Sequence, residues 1–240
     1  VDVALTFDAE HPDMPQCPEH NSEQIVELLA DLHVRATFFL QGRWASAYPK
    51  IARRIASEGH LIGSHSHHHV PVDLLSESGL KADLLAAEQV IQEITGRDPR
   101  PWFRLPFGTG AKNFELLNRL AQLGYRHHHW NVKGDDWRHD QTGEAVESWM
   151  VRDALAKGHG SVLLLHSWAA PALGALPGIV TALRTSGARF VGLDELLDRG
   201  IDYASGGAHA HDLSLAADAR VTADHRPKQV SNAPFLKGGT

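Results

Sequence analysis

Apolar runs of strand length alternate with helical patterns through the first two hundred residues, and this alternation limits the fold more than any other feature. Residues 1–7, 34–40 and 60–64 read as buried strands. Between them, Ile25, Leu28, Leu29 and Leu32 fall at helical spacing behind an N-cap at Asn21 or Ser22. Residues 48–59 carry Ile51 and Ile55 on one helical face. A β-α-β-α-β order predicts a parallel sheet. The pattern continues with a long helix from Ser76 or Ser78 to Gly96 and strands over 102–108, 125–132, 160–166 and 189–193. Helices over 113–123, 144–157 and 176–186 separate these strands, and a last helix begins at Asp194. Seven strands with helices between most of them are one short of an eight-fold barrel. The expectation is an α/β fold, a distorted, incomplete (β/α)7-type barrel.

At 240 residues and 42% hydrophobic, the chain can bury a core without disulfides, and its one cysteine, Cys17, allows no intrachain bridge. Cys17 lies in a proline-rich loop with no matched histidine base, which argues against a thiol nucleophile. A net charge of −6 without a basic run argues against a nucleic-acid partner. No apolar stretch reaches the ~18 residues of a membrane span. Beyond residue 203 the apolar pattern fades, so the domain is expected over 1–203 with a C-terminal extension or tail over 204–240. The chain begins with valine and shows no signal peptide, which suggests a trimmed fragment that could have lost one. An extracellular or cell-envelope location is expected in that case, and a cytoplasmic one otherwise.

Chemistry-bearing residues sit just after the strands. Asp8 and Glu10 follow the first, His65 and His69 the third, and Arg104 lies in the fourth. Asp135 and Asp136 come after the fifth and His166 ends the sixth. Strand C-termini are where α/β folds build sites. His65 and His69 are four apart, a spacing that puts both rings on one face of a helical turn. Two imidazoles supply half of a tetrahedral zinc shell, with His67 and His68 pointing elsewhere. His11 and the run His127 to His129 are secondary candidates for contact with substrate or a second metal.

Taken together, these residues resemble the polysaccharide deacetylases of the NodB-homology type, carbohydrate esterase family 4, over roughly residues 3–200. Five motifs stand in order. They are Thr6-Phe7-Asp8-Ala9-Glu10, His65-Ser66-His67-His68-His69, Arg104-Leu105-Pro106-Phe107, Asp136-Trp137 and Leu163-Leu164-Leu165-His166. The resemblance implies a divalent metal, zinc by default with cobalt or nickel as substitutes in vitro. It implies Asp8 as general base, Arg104 as its partner and His166 as general acid supported by Asp136 or Asp135. The Phe107 N–H would donate to the oxyanion, Trp137 would wall a sugar groove and Leu163 would line an acetyl pocket. Two departures stand out. The family's metal-binding aspartate would fall at Ala9, so Glu10 is expected to complete the metal set with His65 and His69. The first aspartate of the fourth motif falls on Lys133.

The implied reaction removes N-acetyl groups from an N-acetylglucosamine-containing glycan, either chitin oligomers or peptidoglycan, with O-acetylated xylan as an ester alternative. Rival expectations are an allantoinase-like amidohydrolase of small amides on the same scaffold and a catalytically inactive carbohydrate-binding module.

Overall fold

The computed structural model describes residues 1–14, 17 and 19–200, and the expected extension over 204–240 lies outside them. The central strand is β1 (Asp2–Ala9), buried along its whole length. β2 (Thr37–Leu40) and β3 (Leu61–Ser64) follow it on one side, then β4 (Trp102–Phe103) and β5 (Arg126–His127). On the other side lie β7 (Ser161–His166) and β6 (Val132–Lys133), and β8 (Arg189–Phe190) pairs with the start of β1. Every pairing is parallel. The helices are α1 (Glu19–Asp31), α2 (Gly42–Ala47), α3 (Pro49–Ser57), α4 (Glu77–Thr95), α5 (Phe114–Gln122), α6 (Gly143–Lys157), α7 (Ala170–Thr185) and α8 (Leu193–Asp198).

The strand expected over 125–132 is broken in two, which raises the count to eight among the described residues. The break follows from its neighbours. His128 N–H donates to Phe103 O on the β4 side, whereas Asn131 N–H donates to Val162 O on the β7 side. One stretch of chain thus leaves one edge of the curled sheet and joins the other. That is the geometry of an incomplete, distorted barrel.

Alternation along the strands separates two layers. Val3, Leu5, Phe7 and Ala9 of β1 share a core with Leu163 and Leu165 of β7. Ile25 and Leu29 of α1, Met150 of α6, and Ile179 and Leu183 of α7 fill that same layer. On the other face, inside the curl, Ala4, Phe39, Trp130, Val162 and Leu164 pack together. Three of the helices, α4, α5 and α6, begin where a side chain caps them. Ser76, Asn113 and Thr142 accept from the Gly79, Leu116 and Ala145 N–H groups, each satisfying a backbone donor the helix leaves over. α4 ends at Gly96, whose φ of 68° suits the left-handed cap. α2 was not expected, because its Gln41-Gly42 start reads as a turn. No helix among the described residues is long and apolar enough to cross a membrane.

Candidate active site

Because β1 alternates, Asp8 and Glu10 turn away from the helix layer that takes Phe7 and Ala9. The two carboxylates meet the histidine-rich segment that leaves β3. His65 Nε2 lies 3.1 Å from Glu10 Oε2 and 3.5 Å from Asp8 Oδ2, and His69 Nε2 lies 2.5 Å from the same Glu10 oxygen. All these side chains are nearly or wholly buried.

The two histidines do not share a helical turn, as their spacing had suggested. Residues 65–69 form a loop in which Ser66 and His69 take positive φ of 64° and 54°, and the loop, not a helix, sets the rings 4.8 Å apart. Three contacts hold it. Gly42 N–H donates to Ser66 O, His69 N–H donates to Ser66 Oγ, and Asp83 of α4 accepts from the His67 and His68 N–H groups at 2.8 and 3.1 Å. Asp83 was missed in the sequence. The signal for it is an acid among Leu80, Leu84, Ala87 and Ile91 on the buried face of an amphipathic helix, where a carboxylate needs a partner. His68 also turns its Nδ1 to Asp83, away from the cluster.

Glu10, His65 and His69 form the only group of three or more metal-ligand side chains within reach of one another among the described residues. The set suits a divalent metal. His65 Nδ1–H donates to Arg104 O at 2.9 Å, which fixes the tautomer and leaves Nε2 as the lone-pair atom aimed at the cluster. Glu10 Oε2 is buried without a hydrogen bond, an orphan carboxylate oxygen facing two imidazole nitrogens. Two histidines and one carboxylate leave coordination positions open. Burial opposes charge on Glu10, yet the His69 imidazole and contacts from His11, His65 and His69 hold its carboxyl well below the ordinary range. For His69 burial prevails and lowers its pKa. For His65 burial is outweighed by Asp8 and Glu10, and its pKa rises.

On one flank, the fully buried Arg104 donates from Nη1 to Asp8 Oδ1 at 2.8 Å and from Nε to His128 O at 3.1 Å. Its guanidinium lies 4.2 Å over the Phe39 ring. Gly63 makes room for that ring, since a Cβ there would come within 2.7 Å of Phe39. On the other flank, Asp136 accepts from the His166 backbone N–H at 2.7 Å and from its Nδ1–H at 2.9 Å. Burial alone would lower the His166 pKa, but the Asp136 carboxylate overrides it and, with Glu10 and Asp8, lifts the imidazole to about 9. Asp136, not Asp135, is therefore the partner of His166. Asp135 lies 3.3 Å from Lys133 Nζ instead.

Phe107 sits in a turn with φ 59° and ψ 3°, its ring 4.5 Å from that of His69. Trp137 lines a cleft of about 440 Å³ together with Asp136, Arg138, Trp168 and Pro171. Leu163 is not brought to the site. It is fully buried on the helix-facing side of β7, three residues from His166 and hence on the opposite face, and Leu164 takes the inner face instead. His11 comes to the cluster, its Nε2 lying 3.1 Å from Glu10 Oε1. His127 to His129 belong to no metal-type group of three among the described residues. Cys17 is buried, and burial with the nearby Glu10 charge pushes its thiol up to about 12, so it stays protonated at neutral pH.

The sequence model of the family described as polysaccharide deacetylase matches residues 2–128. A peptidoglycan-N-acetylglucosamine deacetylase from Bacillus cereus is 32% identical over 201 residues, 82% of this chain and 68% of that one. Among solved structures, a family 4 carbohydrate esterase from Streptomyces lividans in complex with acetate superposes with a TM-score of 0.67 at 27% identity, covering 78% of this chain and 89% of that one. A family 4 pseudoenzyme from Bacillus anthracis superposes with a TM-score of 0.70 at 25% identity, covering 82% and 65%. The scaffold thus occurs with and without activity, and the side chains at the site must decide between the two.

Proposed function

Since this chain belongs to the polysaccharide deacetylase family, we propose that it is a metal-dependent hydrolase that removes N-acetyl groups from N-acetylglucosamine-containing glycan. Chitin oligomers and peptidoglycan are the leading substrates, and a cell-envelope location goes with the second. The observation that carries this reading is the convergence of Glu10 Oε2 with the Nε2 atoms of His65 and His69 between two intact charge pairs, Asp8–Arg104 and Asp136–His166. Glu10, His65 and His69 hold the metal, with zinc the default and cobalt or nickel able to replace it in vitro. When bound, a divalent cation supplies Lewis acidity, which polarises an acyl carbonyl and makes water a better nucleophile at neutral pH.

The remaining work falls to this chain's own groups. Asp8, aimed by its hydrogen bond from Arg104, takes the proton from the attacking water. The Phe107 N–H donates to the developing oxyanion. His166, charged through its pairing with Asp136, gives a proton to the departing amine. Trp137 and Trp168 border the cleft beside His166, and indole faces suit the apolar faces of a sugar ring.

The inactive-module reading draws on Ala9, on Lys133 and on the pseudoenzyme relative. Against it stand Asp8–Arg104 and Asp136–His166, because glycan binding alone requires neither pair. Acetate release from N-acetylglucosamine oligomers, peptidoglycan and acetylxylan, with and without chelator, tests the proposal. Chelator-sensitive acetate release that Glu10→Ala abolishes is expected. Ammonia release from allantoin-like amides without acetate release from any glycan would shift the reading to a small-amide amidohydrolase, and no turnover at all to an inactive module.

A further inference from the structure

The two oxygens of Glu10 are treated differently. Oε2 faces the histidines and has no hydrogen bond. Oε1 has two ring N–H groups in reach, Trp168 Nε1 at 3.3 Å and His11 Nε2 at 3.1 Å. Neither ring arrives by chance. His11 adopts a φ of 58°, and Gln41 accepts its backbone N–H at 3.1 Å. Trp168 lies in the turn after β7, where Ser167 O accepts from Asn21 Nδ2 and Ser22 Oγ of α1 and Ser167 N–H donates to Asp8 O. The His11 ring makes edge contacts with both Trp168 and His69, at 5.9 and 4.6 Å between centroids.

We propose that His11 and Trp168 are positioning residues that hold Oε1 of Glu10 from two sides and so present Oε2 alone to the metal. The inference rests on Glu10 being a ligand. A glutamate has one more rotatable bond than an aspartate and can swing or chelate through both oxygens. Occupying Oε1 with two donors removes both freedoms and lets position 10 do what Ala9 cannot. Outer contacts of this kind are worth roughly 10–100-fold in metal affinity. Trp168 also borders the cleft and lies 5.4 Å from the His166 ring, so one side chain touches the Glu10 carboxylate, the acid and the cleft wall.

The test measures Zn²⁺ and Co²⁺ affinity by chelator competition, together with the visible absorption of the Co²⁺ form, for the parent protein and for Glu10→Ala, His11→Phe, His11→Gln and Trp168→Phe. Trp168→Phe removes only the N–H from a ring of similar shape, and His11→Gln retains a donor. The expected result is about 10-fold or greater loss of affinity in Trp168→Phe and His11→Phe. Weaker Co²⁺ absorption should accompany it as the carboxylate becomes bidentate, with partial recovery in His11→Gln. Parent-like affinity and absorption in both Trp168→Phe and His11→Phe, while Glu10→Ala loses the metal, would overturn the proposal and leave Glu10 as ligand. Unchanged affinity in Glu10→Ala would instead overturn the ligand assignment beneath it. If His11→Phe does not fold, Trp168→Phe alone decides.

Discussion

Restoring the family's usual acid is an instructive perturbation, because strand alternation makes it fail. Ala9 has no exposed surface and belongs to the layer shared by Phe7, Leu40 and the helices, whereas Asp8 and Glu10 face the other way. In Ala9→Asp the new carboxylate would point into that apolar layer, without a partner and away from His65 and His69. A buried acid escapes the cost of its charge by taking up a proton. Protonating a group of ordinary pKa ~3.9 at pH 7 costs about 4 kcal/mol, falling to about 1.5 kcal/mol at pH 5. Overpacking by the carboxyl group adds ~1–3 kcal/mol at either pH. Ala9→Asp is therefore expected to lose about 5 kcal/mol or more at pH 7, a large share of the ~5–15 kcal/mol that holds a typical domain together. Urea unfolding at pH 7 and pH 5 would show the deficit shrinking by about 2–3 kcal/mol on acidification. Zinc affinity should show no gain over the parent. A variant as stable as the parent at pH 7, or one that binds zinc more tightly, would refute the assignment of residue 9 to the helix layer.

Other expectations concern the flanking pairs and the fold. Asp8→Asn should keep zinc, measured by metal content, yet lose roughly 10²–10⁴-fold in acetate release; near-parent turnover would remove Asp8 as base. Asp136→Asn takes away the largest of the charges that lift His166 to about 9, leaving burial opposed only by Glu10 and Asp8. The alkaline side of the rate–pH profile should then move to lower pH, and an unmoved profile would detach Asp136 from the acid. His60 is buried, accepts the Ala36 N–H through Nδ1, and is lowered by burial from 6.5 to about 4. The unfolded chain therefore takes up this proton first, and stability should fall as pH drops from 6.5 towards 4, by about 3 kcal/mol from this group alone. His127 and His128 act in the same direction. In His60→Gln the slope of unfolding free energy against pH over this window should flatten by about one proton's worth, and an unchanged slope would contradict the buried neutral ring.

Local signals made much of this structure legible in the sequence. The position of Asp8 and Glu10 just after an apolar strand puts both carboxylates at a strand C-terminus, where α/β folds build sites. Leu80, Leu84 and Ile91 of α4 stand at helical spacing in the sequence and are buried, whereas the neighbouring Leu85 is exposed. What stayed hidden depends on distant partners. The segment 125–132 looks like one strand because nothing within it records that its start pairs with β4 and its end with β7. The His65–His69 segment has helical spacing, but its shape is imposed by Gly42 and Asp83 from other elements. Leu163 is a different case. A separation of three from His166 puts it on the opposite face of any strand, so Leu164 could have been preferred from the sequence alone. Trp168 and His11 sit beside recognisable motifs, but that both rings turn to one oxygen of Glu10 is visible only in three dimensions.

Six described residues other than glycine have positive φ, and five of them, His11, Ser66, His69, Phe107 and Asp135, lie in the segments that form the active site. Held there by their surroundings, such conformations cost roughly 1–3 kcal/mol each, most at the bulkiest side chain, Phe107. Tension in the main chain is thus concentrated where chemistry is expected and nearly absent from the rest of the scaffold. Glycine at Phe107 or Asp135 would relieve that tension but loosen the frame that aims the reacting groups, and at His11, Ser66 or His69 it would also remove a side chain the site uses. Hardening this protein should instead begin far from its mouth, on the outer helices, where the chain is already relaxed and nothing has to be aimed.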